Sequence, residues 1–231
     1  MMGEDMKGRF AFRSSRRAWL AHCTAWVAAV AGAGSGPARA RTAAAAPARI
    51  LVVGDSLSAE YGLTRGSGWV SLLERRLVDE RIPATVVNAS VSGDTTSGGR
   101  SRLAALLAQH RPTHVILELG ANDALRGLPL ASTQANLAQM VQAAKAAGAR
   151  VLLVGMQIPP NYGRRYSDDF AALFAHVAKR EGAALVPFML KGVADVPNAE
   201  SLFQPDRIHP RGEAHPTILA NIWPALASLL R

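Results

Sequence analysis

Ser56, Asp206 and His209 are the residues whose types and spacing could carry covalent chemistry. Ser56 follows the apolar run 50–54, a place where a chain leaving a strand can present a hydroxyl to solvent. A serine hydroxyl is a weak nucleophile until a neighbouring base takes its proton. His209 could be that base. Asp206, three residues earlier, is close enough within a turn to hold one imidazole nitrogen and set the tautomer, which leaves the other nitrogen for Ser56. Read singly, each has a plainer meaning. A serine after a strand is often a helix cap, and an Asp-x-x-His pair is often a surface salt bridge or a satisfied turn.

Acyl transfer builds negative charge on a carbonyl oxygen, and losing one preplaced donor to it typically costs about 10²–10³ in rate. The backbone N–H groups of Ser56 and Gly93 and the side-chain amide of Asn122 could converge on such an oxygen. In isolation Gly93 reads equally as a turn glycine, and Asn122 as a loop or cap residue. Other chemistries lack their signatures. The chain has no G-x-S-x-G, no phosphate-cradling G-x-x-x-x-G-K-[ST], no strand-linked G-x-G-x-x-G and no H-E-x-x-H. Histidines 110, 114, 176, 209 and 215 show no metal-ligand spacing, and His110 and His114 read as structural.

The elements that must position these residues follow from hydrophobic pattern. Apolar runs at 50–54, 84–88, 114–119, 150–156 and 184–187 are nearly continuous, as expected of parallel strands covered on both faces. Between them lie helical spacings. Leu103, Leu106, Leu107 and His110 stop before Pro112; Leu137, Met140, Val141 and Ala144 follow Ser132 as an expected N-cap and end before Gly148; Phe170, Leu173, Phe174 and Val177 close at Gly182. A last helix is expected over 218–230, with a possible kink at Pro224. This alternation predicts one doubly wound α/β domain on a five-stranded parallel sheet. Such sheets bind ligands at the carboxyl ends of their strands. There the fold would gather 54–58, 88–94, 120–123 and 206–210.

The 231 residues are 49% hydrophobic, enough to bury a sizeable core. The formal charge is +9, but six of the 26 bases and two of the 17 acids lie in residues 1–40, so the remainder carries +5. That remainder is dispersed, which argues against a nucleic-acid partner. Residues 1–46 read as an export signal and short linker. Arg13, Arg16 and Arg17 form a basic head, an apolar stretch runs from 18 to 34, and A-x-A patterns at 38–40 and 44–46 mark cleavage near 40 or 46. The segment 15–20 also resembles a twin-arginine signal. Cys23 is the only cysteine, so a processed chain holds no disulfide. A periplasmic or secreted location is expected, with no stable membrane span in the mature chain.

Gly54-Asp55-Ser56-Leu57-Ser58, Gly93, Gly120-x-Asn122-Asp123 and Asp206-x-x-His209-Pro210 together resemble, in order, the four blocks of the SGNH/GDSL hydrolases. The stretches 88–95 and 161–166 are similar to segments of the multifunctional thioesterase I/lysophospholipase/arylesterase group. The resemblance spans 48–231. It implies a three-layer α/β/α flavodoxin-like sandwich, no cofactor and no metal. It also implies Ser56 as nucleophile, Asp206 orienting His209 as general base, and Ser56, Gly93 and Asn122 as oxyanion hole. Asp55, Leu57, Leu125, Ile158 and Tyr162 are the expected substrate contacts, and 124–129 a mobile lip. The implied substrate is a small acyl ester or thioester, lysophospholipids included, and the implied state is a monomer. Two departures stand beside the site: Glu60 and Ala121 occupy positions where the family commonly has glycine. A carbohydrate or peptidoglycan O-deacetylase using the same residues, and a non-catalytic binding module on this fold, are the alternative readings.

Overall fold

The computed structural model describes residues 46–231. The expected export signal, its cleavage points and Cys23 lie outside the described residues.

Five strands form the sheet: β1 (Ala48–Gly54), β2 (Ala84–Asn88), β3 (His114–Glu118), β4 (Arg150–Val154) and β5 (Ala184–Val186). Their order is β2-β1-β3-β4-β5, and every pairing is parallel. The central strands carry runs such as Leu51-Val52-Val53 and Val115-Ile116-Leu117, buried on both faces because helices cover both. Helices α1 (Trp69–Asp79) and α6 (His215–Leu230) pack together on one side. Helices α2 (Thr96–His110), α4 (Leu130–Ala146) and α5 (Arg164–Glu181) pack side by side on the other. A one-turn helix, α3 (Ala121–Leu125), follows β3 directly. The chain is therefore the three-layer α/β/α sandwich, and the order of the strands puts its switch between β1 and β3, whose onward connections run toward opposite edges of the sheet.

Two helix starts differ from expectation. Ser132 is not the cap of α4, which begins at Leu130 after Pro129. The fixed φ of Pro129, −59°, already enters the helical range, and its carbonyl takes the Ser132 N–H at 2.9 Å, so Ser132 lies inside the first turn. The last helix starts at His215, three residues before the expected point, and continues through Pro224. Its early start is held by burial: the His215 ring lies in the core and its Nδ1 accepts the Trp69 N–H, 3.0 Å away, at the head of α1.

Candidate active site

Where β1 ends, the backbone must pass unusually close to β3. A Cβ on Gly54 would stand 2.7 Å from Ser58 Oγ and 2.8 Å from Glu118 Oε2, so only glycine fits. The chain then turns tightly around Asp55. Leu57 N–H donates to its carboxylate at 3.0 Å, and the Ser58 and Ala59 N–H groups donate to its carbonyl at 3.2 and 3.0 Å. Asp55 thus performs the capping that a serine could have performed. Ser56 Oγ is left half-exposed and turned elsewhere.

It turns to His209. The His209 Nε2–Ser56 Oγ distance is 2.8 Å, and His209 Nδ1 lies 2.7 Å from Asp206 Oδ2. The other Asp206 oxygen accepts the Ile208 and His209 N–H groups at 2.9 and 3.0 Å, so one carboxylate folds the loop and orients the ring. An antiparallel bridge between Phe203 and Pro210 closes this loop, and Tyr61 packs on the imidazole with ring centres 4.4 Å apart. Partial burial opposes ionisation of Asp206, but the His209 backbone, the His209 ring and the Ile208 N–H together bring its pKa down to about 2. An ionised Asp206 places the imidazole proton on Nδ1. Nε2 then has a lone pair for the Ser56 proton.

Asn122 lies on α3 and uses its amide twice, donating to Asp55 Oδ2 and to the Asp94 carbonyl, each at 3.0 Å. With both amide hydrogens engaged, it reaches an oxyanion only by sharing or exchanging one of them. Gly93 has φ +77°, a conformation that favours glycine, and Arg126 donates to its carbonyl at 2.8 Å. Thus α3 and its following turn grip the β2 loop from two points. Asp123, also on α3, is buried and accepts from the Thr96 N–H and hydroxyl, which locks α3 to the head of α2.

The expected substrate contacts divide. Asp55 and Leu57 are both buried, Asp55 beneath Asn122 and Leu57 in the apolar core. The tight turn explains their burial, since it swings the residues flanking Ser56 inward. Ile158 is also buried, Leu125 is half-buried, and Tyr162 is exposed. The expected lip is tethered as well as looped. Leu128 N–H donates to the Asp123 carbonyl at 2.9 Å, and its own carbonyl accepts the Tyr166 hydroxyl at 3.1 Å.

Glu118 went unnoticed in sequence, although a carboxylate closing an all-apolar strand was a visible signal. It is buried, accepts the Ser58 hydroxyl at 2.7 Å, and Ser58 Oγ in turn accepts the Trp69 indole N–H at 3.2 Å. Burial, with the nearby Asp55 charge adding to it, pushes Glu118 well above the usual carboxylate range. Burial likewise raises Asp55 to about 6, against the Leu57 and Asn122 hydrogen bonds that favour its charge. Glu60 shows why glycine suits its position: its φ is +58°. Here its carboxylate offsets that strain by accepting from Gly66 N–H, Gly68 N–H and the Ser71 hydroxyl at 2.8–3.0 Å. Ala121 is buried at the first position of α3.

A family model described as the GDSL-like Lipase/Acylhydrolase family matches residues 52–216. The chain belongs to this family. It is an acyl-ester hydrolase. Among similar proteins, Esterase TesA of Pseudomonas aeruginosa is 53% identical over 186 residues, 80% of this chain and 91% of that protein. The Arylesterase of Vibrio mimicus is 43% identical over 76% of this chain and 86% of its own. Thioesterase 1/protease 1/lysophospholipase L1 of Escherichia coli K12 is also 43% identical, over 76% and 81%. The crystal structure of TesA superposes with a TM-score of 0.75 at 52% identity, covering 78% of this chain and 99% of that one. The psychrotrophic esterase EstA from Pseudoalteromonas, solved inhibited by monoethylphosphonate, gives 0.74 at 41% identity, covering 79% and 98%.

Proposed function

We propose that Ser56 is the nucleophile of a two-step acyl transfer to water, with His209 as base and acid and Asp206 as its orienter. The carrying observation is the unbroken chain of contacts from Ser56 Oγ through the imidazole to Asp206, 2.8 and 2.7 Å long. Ser56 Oγ attacks the acyl carbonyl as His209 Nε2 takes its proton. The imidazolium returns that proton to the departing alcohol or thiol, leaving an acyl-serine. His209 then takes a proton from water, whose oxygen attacks the acyl carbon, and restores Ser56 as the acid leaves. The N–H groups of Ser56 and Gly93 and one Asn122 hydrogen receive the oxyanion. Asp55, holding Asn122 from below, sets that amide's direction.

The substrates are acyl esters and thioesters of the arylesterase, acyl-CoA thioesterase or lysophospholipase type, in line with the names of the similar proteins. Tyr61, packed on the His209 ring, leaves an exposed aromatic face at the edge of the site. Residues 1–46 direct export and are removed, giving a periplasmic or secreted enzyme; N-terminal sequencing of protein from the extracytoplasmic fraction checks this. Among the described residues, no helix is long and apolar enough to cross a membrane.

The test is Ser56→Ala. The variant should keep the wild-type circular dichroism spectrum and hydrolyse p-nitrophenyl butyrate at about 10⁻³ of the wild-type rate or less. It should also lose labelling by a fluorophosphonate probe. Turnover near wild type in the folded variant would remove Ser56 from the mechanism.

A further inference from the structure

Where β1 and β3 end, two carboxyl groups share one dry space beneath the site. Asp55 is 1% exposed and Glu118 is 2% exposed, and the two are within hydrogen-bond reach of each other. Neither has an ion-pair partner among the described residues. The charged groups that act on the pair from outside it are His209, in the loop before α6, and Asp94, which is itself paired with Arg102 of α2 at 2.8 Å. Two carboxylates so close together and cut off from water do not both ionise, so near neutral pH the pair holds one proton.

The surrounding donors decide which group holds it. Asp55 accepts the Leu57 N–H on Oδ1 and the Asn122 amide on Oδ2, each at 3.0 Å, so donors meet both of its oxygens and favour its charge. The donors to Glu118 fall on one oxygen. Oε2 takes the Ser58 hydroxyl at 2.7 Å and, at 3.4 Å, the Asp55 N–H. The Trp69 indole N–H, 3.2 Å from Ser58 Oγ, keeps the hydrogen of that hydroxyl turned to Glu118. Oε2 is thus the carbonyl oxygen of a neutral acid, and Oε1 carries the proton.

The consequence falls on Asn122, whose amide hydrogens go to Asp55 Oδ2 and to the Asp94 carbonyl. With Asp55 ionised the first bond is charge-assisted and the stronger, so the hydrogen on the neutral carbonyl is the one that turns to an oxyanion. A protonated Asp55 would erase that difference. We propose that Glu118 is a positioning residue for acyl transfer: held as the neutral acid, it carries the proton of the pair, keeps Asp55 the anion, and so fixes which Asn122 hydrogen meets the oxyanion. The inference rests on Asn122 serving the oxyanion, as proposed above.

The test begins with the proton itself. At about pH 7, where ordinary carboxyl groups are ionised, the infrared spectrum of the full chain should contain the C=O stretch of a buried carboxylic acid, lowered in D2O. Glu118→Gln should delete that band. No band in the wild type, or an unchanged band in Glu118→Gln, would overturn the proposal. The second arm reads hydrolysis of p-nitrophenyl butyrate. Glu118→Leu should lower kcat about tenfold with KM unchanged, and Glu118→Gln, which keeps a donor for Asp55 and an acceptor for Ser58, should recover most of that loss. In an Asn122→Ala background the Glu118→Leu loss should shrink to about twofold or less. A tenfold loss that persists without Asn122, or a Glu118→Gln as slow as Glu118→Leu, would leave Glu118 a merely structural role and overturn the proposal. Asn122→Ala as fast as wild type would instead remove the oxyanion reading, and the role of Glu118 with it. If Glu118→Leu does not fold, judged by circular dichroism, the infrared band and the Glu118→Gln rate decide.

Discussion

Two aspartates flank the site and are driven in opposite directions. Asp206 closes an exposed loop, where partial burial is outweighed by two backbone N–H groups and an imidazole, and its pKa falls to about 2. Asp55 lies under the same site, and burial raises it to about 6 although Leu57 and Asn122 donate to it. The difference is in what else each carboxylate faces. Asp206 faces an imidazole and two backbone donors; Asp55 faces Glu118, a second carboxylate in the same dry space. One aspartate is placed to stay charged beside the imidazole. The other is built to hold a neighbour in place, and its charge is the costly form.

The first way to break this contrast is Asp206→Asn. It removes the charge and leaves a side chain able to accept the loop N–H groups, so the loop should persist while the imidazole loses its tautomer. A fall of about 10⁴ in kcat is expected, measured with p-nitrophenyl butyrate. Asn122→Ala should come next, lowering kcat by about 10²–10³ with little change in KM, since under the proposed mechanism the donor meets the substrate only at the developing oxyanion. An equal rise in KM would mean that Asn122 binds the ground state instead.

Asp55→Asn sharpens the other side and should cost about tenfold in kcat, through a misdirected Asn122 amide. Its larger signature is in stability. A carboxylate raised from 3.8 to about 6 on folding contributes stability that is complete below pH 3.8 and lost as pH rises through 6. Wild-type Tm should therefore fall relative to Asp55→Asn between pH 4 and 7, by about 5 °C. Asp206 has the reverse sign: its stabilisation is present above pH 3.8 and is lost only as pH falls through about 2. A Tm difference between wild type and Asp55→Asn that is flat with pH would place the proton elsewhere in the pair. The smallest effect should come from Glu60→Ala, which strands Gly66 and Gly68 N–H and keeps the unfavourable φ; a Tm drop of about 3 °C is expected, with kcat little changed.

The strands were legible nearly to the residue because continuous apolar runs have few alternatives in a chain that alternates with helices. The meeting of Ser56 with Asp206 and His209 was legible only as a set, since each residue alone had a commoner meaning. Capping was read less well. Ser132 lost to Pro129, whose ring had already fixed the backbone, and the Asp55 carboxylate, unread as a cap, accepts the Leu57 N–H and the Asn122 amide. These errors share one cause: a polar side chain's partner depends on the direction of the turn it sits in.

Residue pattern alone settled the layered α/β architecture, the strand-end location of the site and the chemical types within it, because burial on both faces leaves a period that is readable without coordinates. Tertiary structure decided which oxygen meets which nitrogen, and which carboxylates face inward. Those outcomes turn on approaches of about 3 Å between segments far apart in the chain, such as Gly54 against Glu118. No local sequence rule fixes distances of that kind, because they are set by how the whole sheet and its loops close upon one another.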